Sequence, residues 1–288
     1  MYSLSSREGV LLIKSLTYFF DGVIATAYKE LKISLRYSTW VLTMFTAPYV
    51  LSILMQTIGG YAGGSKAYGN FSALTGTENV FVYLVLGSLL WMMAAVIMWD
   101  VGLLLNNERW RGTLEQNAMA PVPFVSLAIG FTIADILFTS PVFIIGVALS
   151  LLIGGAFSLV SLFQVSLLFI VGLLPLYGIG LLFGALSFRS KRSYSLVNTL
   201  NTALAILSGS LYPITVLPFW LQSISNFIPL THATVLVRVF SLLPQFFLSE
   251  SWRLLVLIFM MIVYPLIGIF VFNMADKQAR RKGDFAKY

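Results

Sequence analysis

The sequence has no cysteine, one histidine (His232) and few charged residues, which make up 10% of its 288 residues. Without cysteine, disulfide bonds, cysteine-ligated zinc, iron–sulfur clusters and thiol catalysis are excluded. One histidine leaves little for metal chemistry, so we expect no metal site. Soluble domains carry about a quarter charged residues, and this chain has too few to cover a globule in water. Its 58% hydrophobic content and mean hydropathy of +0.89 predict a surface that faces lipid.

Charge-poor runs of about 20 residues, the length that crosses a bilayer, occur six times. Asp100 and Asp135 are the only charged residues that these runs contain. The sequence therefore predicts an all-α membrane protein with a single transmembrane domain over 1–288. Its six transmembrane helices are predicted at 38–58, 79–105, 124–153, 160–187, 194–212 and 254–273.

The sequence also predicts the structure of the segments between and beside the spans. Prolines break the uncharged stretch at 213–240, which predicts a re-entrant helical pair between spans five and six. Residues 14–36 mix polar and apolar side chains at helical spacing, which favours a helix along the membrane interface; a helix packed only on the protein stays open. The loop 106–123 is short and charged, and 274–288 is predicted to be a cytoplasmic tail.

Basic residues are distributed very unevenly over the loops of this topology. Fifteen of the 18 lie on the side that carries both termini. Because loops rich in lysine and arginine stay inside the cell, both termini are predicted to be cytoplasmic, in a multi-pass protein of the plasma membrane. The same bias accounts for the net charge of +7 without a nucleic-acid partner.

No enzyme motif has the spacing that its chemistry needs. The segment 59–66 comes closest to a phosphate-binding loop, but Ser65 separates Gly64 from Lys66, whereas the lysine must follow the glycine directly. Glycines 178, 180 and 184 lie inside a predicted span and favour helix packing through small residues over a dinucleotide fingerprint. We therefore expect a chain that is not an enzyme and binds no cofactor.

Two acidic residues fall within predicted spans, where an unpaired charge is costly. Asp135 lies roughly 18 Å below the start of its span, counted at about 1.5 Å per residue. No histidine, arginine or second acid is predicted at that depth, so a structural role is favoured over a proton relay. Asp100 is predicted near the cytoplasmic end, where it reaches water or Arg109; a solvated helix end and a gating role both stay open.

The fifth predicted span has one stripe of small and amide side chains at helical spacing. A self-associating face that also borders a transport pathway and simple packing inside the chain are both compatible with it. The stripe consists of Asn198, Asn201, Thr202, Ala205, Ser208 and Gly209.

Two segments carry a resemblance to a known family. Residues 106–115 read NNERWRGTLE and continue to Pro123, which resembles the E-R-x-x-G-T-L-E…P pattern of type-2 ATP-binding cassette (ABC) exporter permeases. Residues 207–238, with LSGSLYP, LPFWLQ, IPLTH and Arg238, are similar to that family's segment after the fifth span. Both segments fall in register with the predicted topology, so the resemblance covers nearly the whole chain.

The resemblance implies a transmembrane subunit that dimerises and is driven by a separate ATPase subunit, which binds ATP and magnesium. It implies that the first cytoplasmic loop couples to the ATPase through Glu108, Arg109, Arg111, Gly112, Thr113 and Glu115. The helix at 14–36 would also touch the ATPase. Spans two and five would line the pathway or the dimer face, with Tyr83, Trp91, Asn198, Asn201, Thr202 and Ser208. The outer gate would contain Pro213, Pro218, Trp220 and Pro229.

These observations leave several functions open. Export of an amphipathic drug or lipid is favoured, because aromatic residues make up 15% of the chain. Export of a lipid-linked polysaccharide by the same architecture is the alternative cargo. A proton-coupled secondary carrier that uses Asp135 would require an inverted repeat, which the sequence does not show. A scaffold that transports nothing would leave the polar face of span five without a purpose.

Overall fold

The computed structural model describes residues 2–37, 39–188 and 193–282, the side chains of residues 2–15 and 65 excepted. This part of the chain is helical and contains no strand. Five of its helices are long and apolar enough to cross a membrane. They are α2 (Thr39–Gly63), α4 (Val80–Gly102), α7 (Phe124–Ile153), α8 (Leu159–Ser187) and α13 (Trp252–Lys282).

Shorter helices connect these five, and one long helix precedes them. They are α1 (Tyr2–Arg36), α3 (Ala67–Thr75), α5 (Leu104–Trp110), α6 (Leu114–Met119), α9 (Ser193–Leu207), α10 (Phe219–Ser225), α11 (Pro229–Leu242) and α12 (Phe247–Glu250). Single 3-10 turns lie at Gly64–Lys66, Ile214–Val216 and Pro244–Phe246.

The all-helical class is confirmed, while the count of six spans stays a prediction. The fifth predicted span is α9, whose 15 residues reach about 22 Å at 1.5 Å per residue, short of the bilayer core. It ends before Gly209, which has a left-handed φ of 67°. The predicted helical pair at 213–240 corresponds to α10 and α11; its re-entrant path stays a prediction. Position 38, the loop 189–192 and the tail beyond 282 lie outside the described residues.

Helix α4 occupies the centre of the helix bundle. It is apolar on all sides, which is typical of a helix surrounded by others rather than by lipid and water. Helices α2, α7, α8 and α11 pack around it, and most of its residues are buried. Trp91 and Trp99 are among the few partly exposed side chains along it.

Glycine lets α8 and α13 approach closely. A Cβ on Gly178 would collide with the backbone of Tyr264 and Pro265, and a Cβ on Gly268 would collide with the backbone of Gly178. Side chains at these positions would push the helices apart, as expected for small-residue packing in membranes. The prediction that the glycines of this span pack helices is confirmed.

Helix α1 packs against α7 with one face and exposes apolar side chains on the other. A Cβ on Gly130 of α7 would lie 2.7 Å from the carbonyl oxygen of Val23, so the two backbones nearly touch. The opposite face exposes Phe20, Ile24 and Tyr28. The helix starts at Tyr2, well before the predicted residue 14, and its position along the membrane interface stays a prediction.

Two hydrogen bonds mark the opposite ends of the bundle. Asn79 Nδ2 donates to the carbonyl oxygen of Gly154 at 2.9 Å, and Ser187 Oγ donates to that of Gly102 at 3.0 Å. The second bond lies at the end that holds α5, α6 and the C-terminal part of α13, here called the α5–α6 end. The first lies at the opposite end with α3 and α11, here called the α11 end.

Candidate functional site

Glu108 of α5 is fully buried and forms the centre of a polar cluster at the α5–α6 end. Its carboxylate accepts hydrogen bonds from Lys29 Nζ of α1 at 2.9 Å, from Thr113 Oγ1 at 2.5 Å and from Asn117 Nδ2 at 2.5 Å. These donors come from α1, the turn after α5, and α6. A single acidic side chain therefore connects the loop to the N-terminal helix.

A second carboxylate joins the cluster from α1. Glu30 Oε1 lies 3.0 Å from Lys29 Nζ and 2.5 Å from Arg111 Nη1, and Arg111 Nη1 lies 3.5 Å from Glu108 Oε1. The Lys29 ammonium and the Arg111 guanidinium both lie 5.5 Å from the centre of the Phe131 ring of α7. Two acids and two bases thus tie α1, α5 and α7 together.

The charges in this cluster stabilise one another. Burial raises the pKa of Glu108, but the hydrogen bonds from Thr113 and Lys29 and the charges of Lys29 and Arg111 outweigh burial and lower the pKa below its ordinary value. Burial lowers the pKa of Arg111, but its contacts with Glu30 outweigh that effect and raise the pKa. Both residues are therefore charged at neutral pH.

Asp135 of α7 has an acidic neighbour. Its carboxyl group faces that of Asp100 of α4, and Glu30 and Arg111 are the nearest charges to the pair from other elements. Asp135 Oδ2 is buried without a partner in the described residues. The expectation that no second acid shares its depth is wrong, because the register between α4 and α7 is not visible in the sequence.

The loop also presents side chains outward. Trp110 is 90% exposed and Met119 is 79% exposed, while Gly112, with φ +72°, and Glu115 are exposed beside them. Arg109 is half-buried. The loop therefore exposes two large apolar side chains beside its polar residues. Trp110 lies inside the recognised motif, and Met119 follows it, yet sequence reasoning did not single them out.

Among the six residues predicted to couple, the structure separates an inner group from an outer one. Glu108 and Thr113 point inward and hold the loop together, and Arg111 is partly exposed between the two groups. Gly112 and Glu115 are exposed. Lys29, Glu30 and Asn117 complete the cluster but were not predicted, because side chains from distant helices meet only in the fold.

The C-terminal part of α13 holds the loop from the other side. Arg280 Nη1 donates to the carbonyl oxygen of Ala118 at 2.8 Å, and Arg280 Nη2 to that of Val122 at 3.4 Å. Asp276 orients the guanidinium by accepting from Nε at 2.8 Å. The segment between α6 and α7 is thereby joined to the last helix, a contact that the sequence did not predict.

The polar stripe on α9 divides between the inside and the outside of the chain. Asn201 and Ser208 are buried, and Asn198 Oδ1 accepts a hydrogen bond from Trp99 Nε1 of α4 at 2.9 Å. Thr202 is exposed and donates to the carbonyl oxygen of Asn198 at 2.9 Å. The amide residues thus pack inside the chain, and the neighbouring face with Thr202 remains open.

The two aromatic residues predicted for the pathway occupy different surroundings on α4. Tyr83 is buried, and its ring meets that of Phe71 of α3 edge to face with 5.2 Å between centres. Trp91 is partly exposed, and its Nε1 is buried without a hydrogen-bond partner in the described residues.

The residues predicted for the outer gate lie at the α11 end. Pro213 and Pro229 are buried, and Pro229 begins α11, where its fixed φ and missing N–H fit the first turn of a helix. Pro218 precedes α10, and both Pro218 and Trp220 are exposed. The prolines therefore stand at helix starts and separate α9, α10 and α11.

Arg238 of α11 connects three parts of the α11 end. Its Nε donates to the carbonyl oxygen of Tyr83 at 3.1 Å, its Nη1 to that of Gly209 at 2.9 Å and its Nη2 to that of Ser210 at 2.6 Å. The guanidinium carbon lies 3.6 Å from the centre of the Tyr83 ring. A Cβ on Gly87 would collide with the Ser210 carbonyl oxygen and this guanidinium, so only glycine fits there.

A family model for the ABC-2 type transporter matches residues 21–242, which include both motifs, the α5–α6 segment and all of α11. The chain belongs to the ABC-2 type transporter family. Members of this family are membrane permease components, generally without catalysis of their own, and they usually pair with an ATPase subunit. Together with the five apolar helices, the match makes the chain a multi-pass membrane protein. A search of curated protein sequences found no significant match.

Proposed function

We propose that this ABC-2 chain is the membrane subunit of an ATP-driven exporter, which couples to a separate ATPase through α5 and α6. The observation that carries the proposal is the arrangement of these two short helices. They expose Trp110 and Met119, and buried ionic contacts of Glu108 anchor them to α1. The surface offers an apolar contact to a partner, and the anchoring transmits its displacement to the long helices.

Arg280 adds a second connection on the opposite side of the loop. Its bonds to the carbonyl oxygens of Ala118 and Val122 link α13 to the segment between α6 and α7. A rigid loop with anchors on both sides moves as one body, whereas a mobile loop would absorb the motion of the ATPase. In this proposal the ATPase subunit binds ATP and magnesium, and both termini lie in the cytoplasm.

Two copies of the chain form the pathway in this proposal. Helix α9 acts as a short fifth of six spans, and its open face, which includes Thr202, meets the second copy. The helices α10 and α11 form the outer gate, and the three hydrogen bonds of Arg238 hold α11 against α4. Opening of the gate then requires α9, α10 and α11 to move together.

The cargo in this proposal is an amphipathic or hydrophobic molecule. A cavity of about 210 Å³ at the α11 end is lined mainly by apolar side chains, among them Met55, Phe71 and Leu84, with Tyr68 and Tyr212 as polar tips. Such a lining suits a drug-like or lipid-like molecule better than a free sugar. A lipid-linked polysaccharide remains the alternative cargo.

The test is to co-purify the chain with candidate ATPase subunits and measure ATP hydrolysis in lipid. We expect Trp110→Ala to reduce the retained ATPase at least tenfold, since this side chain is almost fully exposed and the fold of the chain does not depend on it. Tyr61→Ala is the matched control, because Tyr61 is 88% exposed at the α11 end. Equal retention by both variants would contradict docking at α5 and α6.

A proton-coupled carrier is the second candidate, favoured by the contact between Asp100 and Asp135. Neighbouring carboxyl groups favour the state in which one of them keeps its proton, and a relay requires such a proton. Transport in vesicles that contain the chain alone, driven by a pH gradient without ATP, would establish this function and reject the first.

A further inference from the structure

A cavity of about 300 Å³ lies at the α11 end between α3, α4, α11 and α13. Its wall contains two arginines, Arg238 and Arg253, and one acid, Glu250. Lys66, the third basic residue at this end, is exposed and lies outside the wall. Two of the three arginines and lysines described at this end therefore line one cavity.

Arg238 carries a buried charge that lacks an anion. It is 3% exposed, and among the described residues no carboxylate lies within ion-pair distance of it. Three carbonyl oxygens accept hydrogen bonds from Nε, Nη1 and Nη2, and the Tyr83 ring faces the guanidinium. Dipoles and a ring face stabilise the cation without cancelling its charge, so the cavity beside it is positive.

Arg253 adds a second guanidinium to the same wall. It pairs with Glu250, which precedes it by three residues, and its Nη1 lies 3.5 Å from Nδ1 of His232. The wall thus contains two arginines and one carboxylate, an excess of one positive charge. Since the Arg253 side chain is 13% exposed, an incoming anion has access to it and competes with Glu250.

The rest of the wall is largely apolar. Leu74, Val235, Val239, Leu243 and Phe246 line it beside the two arginines. A free inorganic anion gains nothing from contact with this apolar wall. A neutral hydrocarbon gains nothing from contact with the arginines. An amphipathic anion fits both, because guanidinium groups bind phosphate and carboxylate oxygens in pairs.

We propose that this cavity binds the acidic head group, phosphate or carboxylate, of an amphipathic molecule. The inference rests on the proposed transport function and specifies its cargo: an anionic amphiphile that reaches the outer gate. Arg253 makes the direct contact with the head group, and Arg238 contributes its positive field. The cavity lies beside α11, so movement of the proposed outer gate releases the head group.

The test measures binding of dodecyl phosphate to the purified chain in neutral detergent, without any ATPase. Trp252, whose ring centre lies 4.7 Å from the Arg253 guanidinium carbon, serves as a fluorescent reporter. We expect saturable binding that Arg253→Gln weakens at least tenfold. Lys66→Gln is the matched control, because it removes the same charge from the same end outside the cavity, and it should bind like the unaltered chain.

A second variant and two competitors separate the alternatives. Glu250→Gln should tighten binding several-fold by removing the competing carboxylate, a gain that misfolding does not imitate. Dodecyltrimethylammonium should not compete with dodecyl phosphate for the cavity. If inorganic phosphate binds as strongly as dodecyl phosphate, the cavity is a site for free anions, and the proposal of an amphipathic ligand is wrong. Equal binding by Arg253→Gln and Lys66→Gln would also overturn the proposal. Because no ATPase is present, failure here is distinguishable from failure of coupling.

Discussion

Lys29 Nζ lies 2.9 Å from Glu108 Oε1, and these two residues are 79 positions apart in the chain. The contact joins the N-terminal helix α1 to α5 through a carboxylate that is fully buried. Because Glu108 also accepts hydrogen bonds from Thr113 and Asn117, it orders the whole segment between α5 and α6. The surface proposed to dock the ATPase therefore depends on a residue that is itself fully buried.

Glu108→Gln should destabilise the α5–α6 segment. The change removes the charge that pairs with Lys29 and Arg111, and breaking a buried ion pair costs about 3–5 kcal/mol. Both bases are partly exposed, so we expect about 2–3 kcal/mol and a lower melting temperature in detergent. Glu115→Gln, at an exposed position of α6, is the control and should melt like the unaltered chain. If Glu108→Gln leaves the melting temperature unchanged, the polar cluster does not anchor the α5–α6 segment.

The contribution of Glu108 should depend on pH in a defined direction. Its pKa in the folded chain is lowered from the ordinary 4.5, so its stabilisation is fully present above that value and decreases as the pH falls towards the lowered pKa. The difference in melting temperature between the unaltered chain and Glu108→Gln should therefore be constant from about pH 6 to 7 and shrink below about pH 4.5. If the difference in melting temperature grows on acidification, the predicted direction of the pH dependence is wrong.

Gly87→Ala should disrupt the α11 end. The added methyl group collides with the backbone carbonyl oxygen of Ser210 and with the Arg238 guanidinium that bonds to it. Overpacking of this kind costs about 1–3 kcal/mol, and the lost hydrogen bond to Arg238 adds to it. Gly59→Ala is the control, since a Cβ there meets nothing within 4 Å. Equal melting temperatures for the two variants would refute the close approach.

Asp135→Asn tests the two transport mechanisms against each other. If an ATPase drives export, the amide keeps the shape of the side chain and a hydrogen bond to Asp100, so ATP-coupled efflux should stay within about twofold of the unaltered chain. A proton relay requires the acid, and its loss would abolish efflux. Efflux is measured in vesicles with ATP and, separately, with a pH gradient.

Asn201→Leu and Thr202→Trp separate internal packing from dimer formation on α9. Asn201 is buried, so leucine should lower the melting temperature of the chain and reduce transport. Thr202 is exposed, so tryptophan should leave the melting temperature unchanged but reduce the fraction of dimer in cross-linking. If Asn201→Leu matches the unaltered chain in both stability and transport, the polar stripe has no purpose in this fold.

Several features could be predicted from the order of residues alone. Charge-poor runs located the long helices closely, and α7 has the predicted bounds, because the bilayer requires about 20 apolar residues and leaves little choice of length. The bias of basic residues grouped the α5–α6 loop with α1 and the C-terminal part of α13, and the structure joins these elements. The motifs at 106–123 and 207–238 indicated the family that the match over residues 21–242 shows.

Tertiary structure alone decided which side chains meet. That Lys29 reaches Glu108, that Asp100 lies beside Asp135, and that Arg238 and Arg253 share a cavity depends on helix register and tilt. Apolar side chains all round a helix, as on α4, carry no periodic signal that reveals its neighbours. Composition and hydropathy thus determined that the chain crosses a membrane, whereas packing of the helices determined where its charges act.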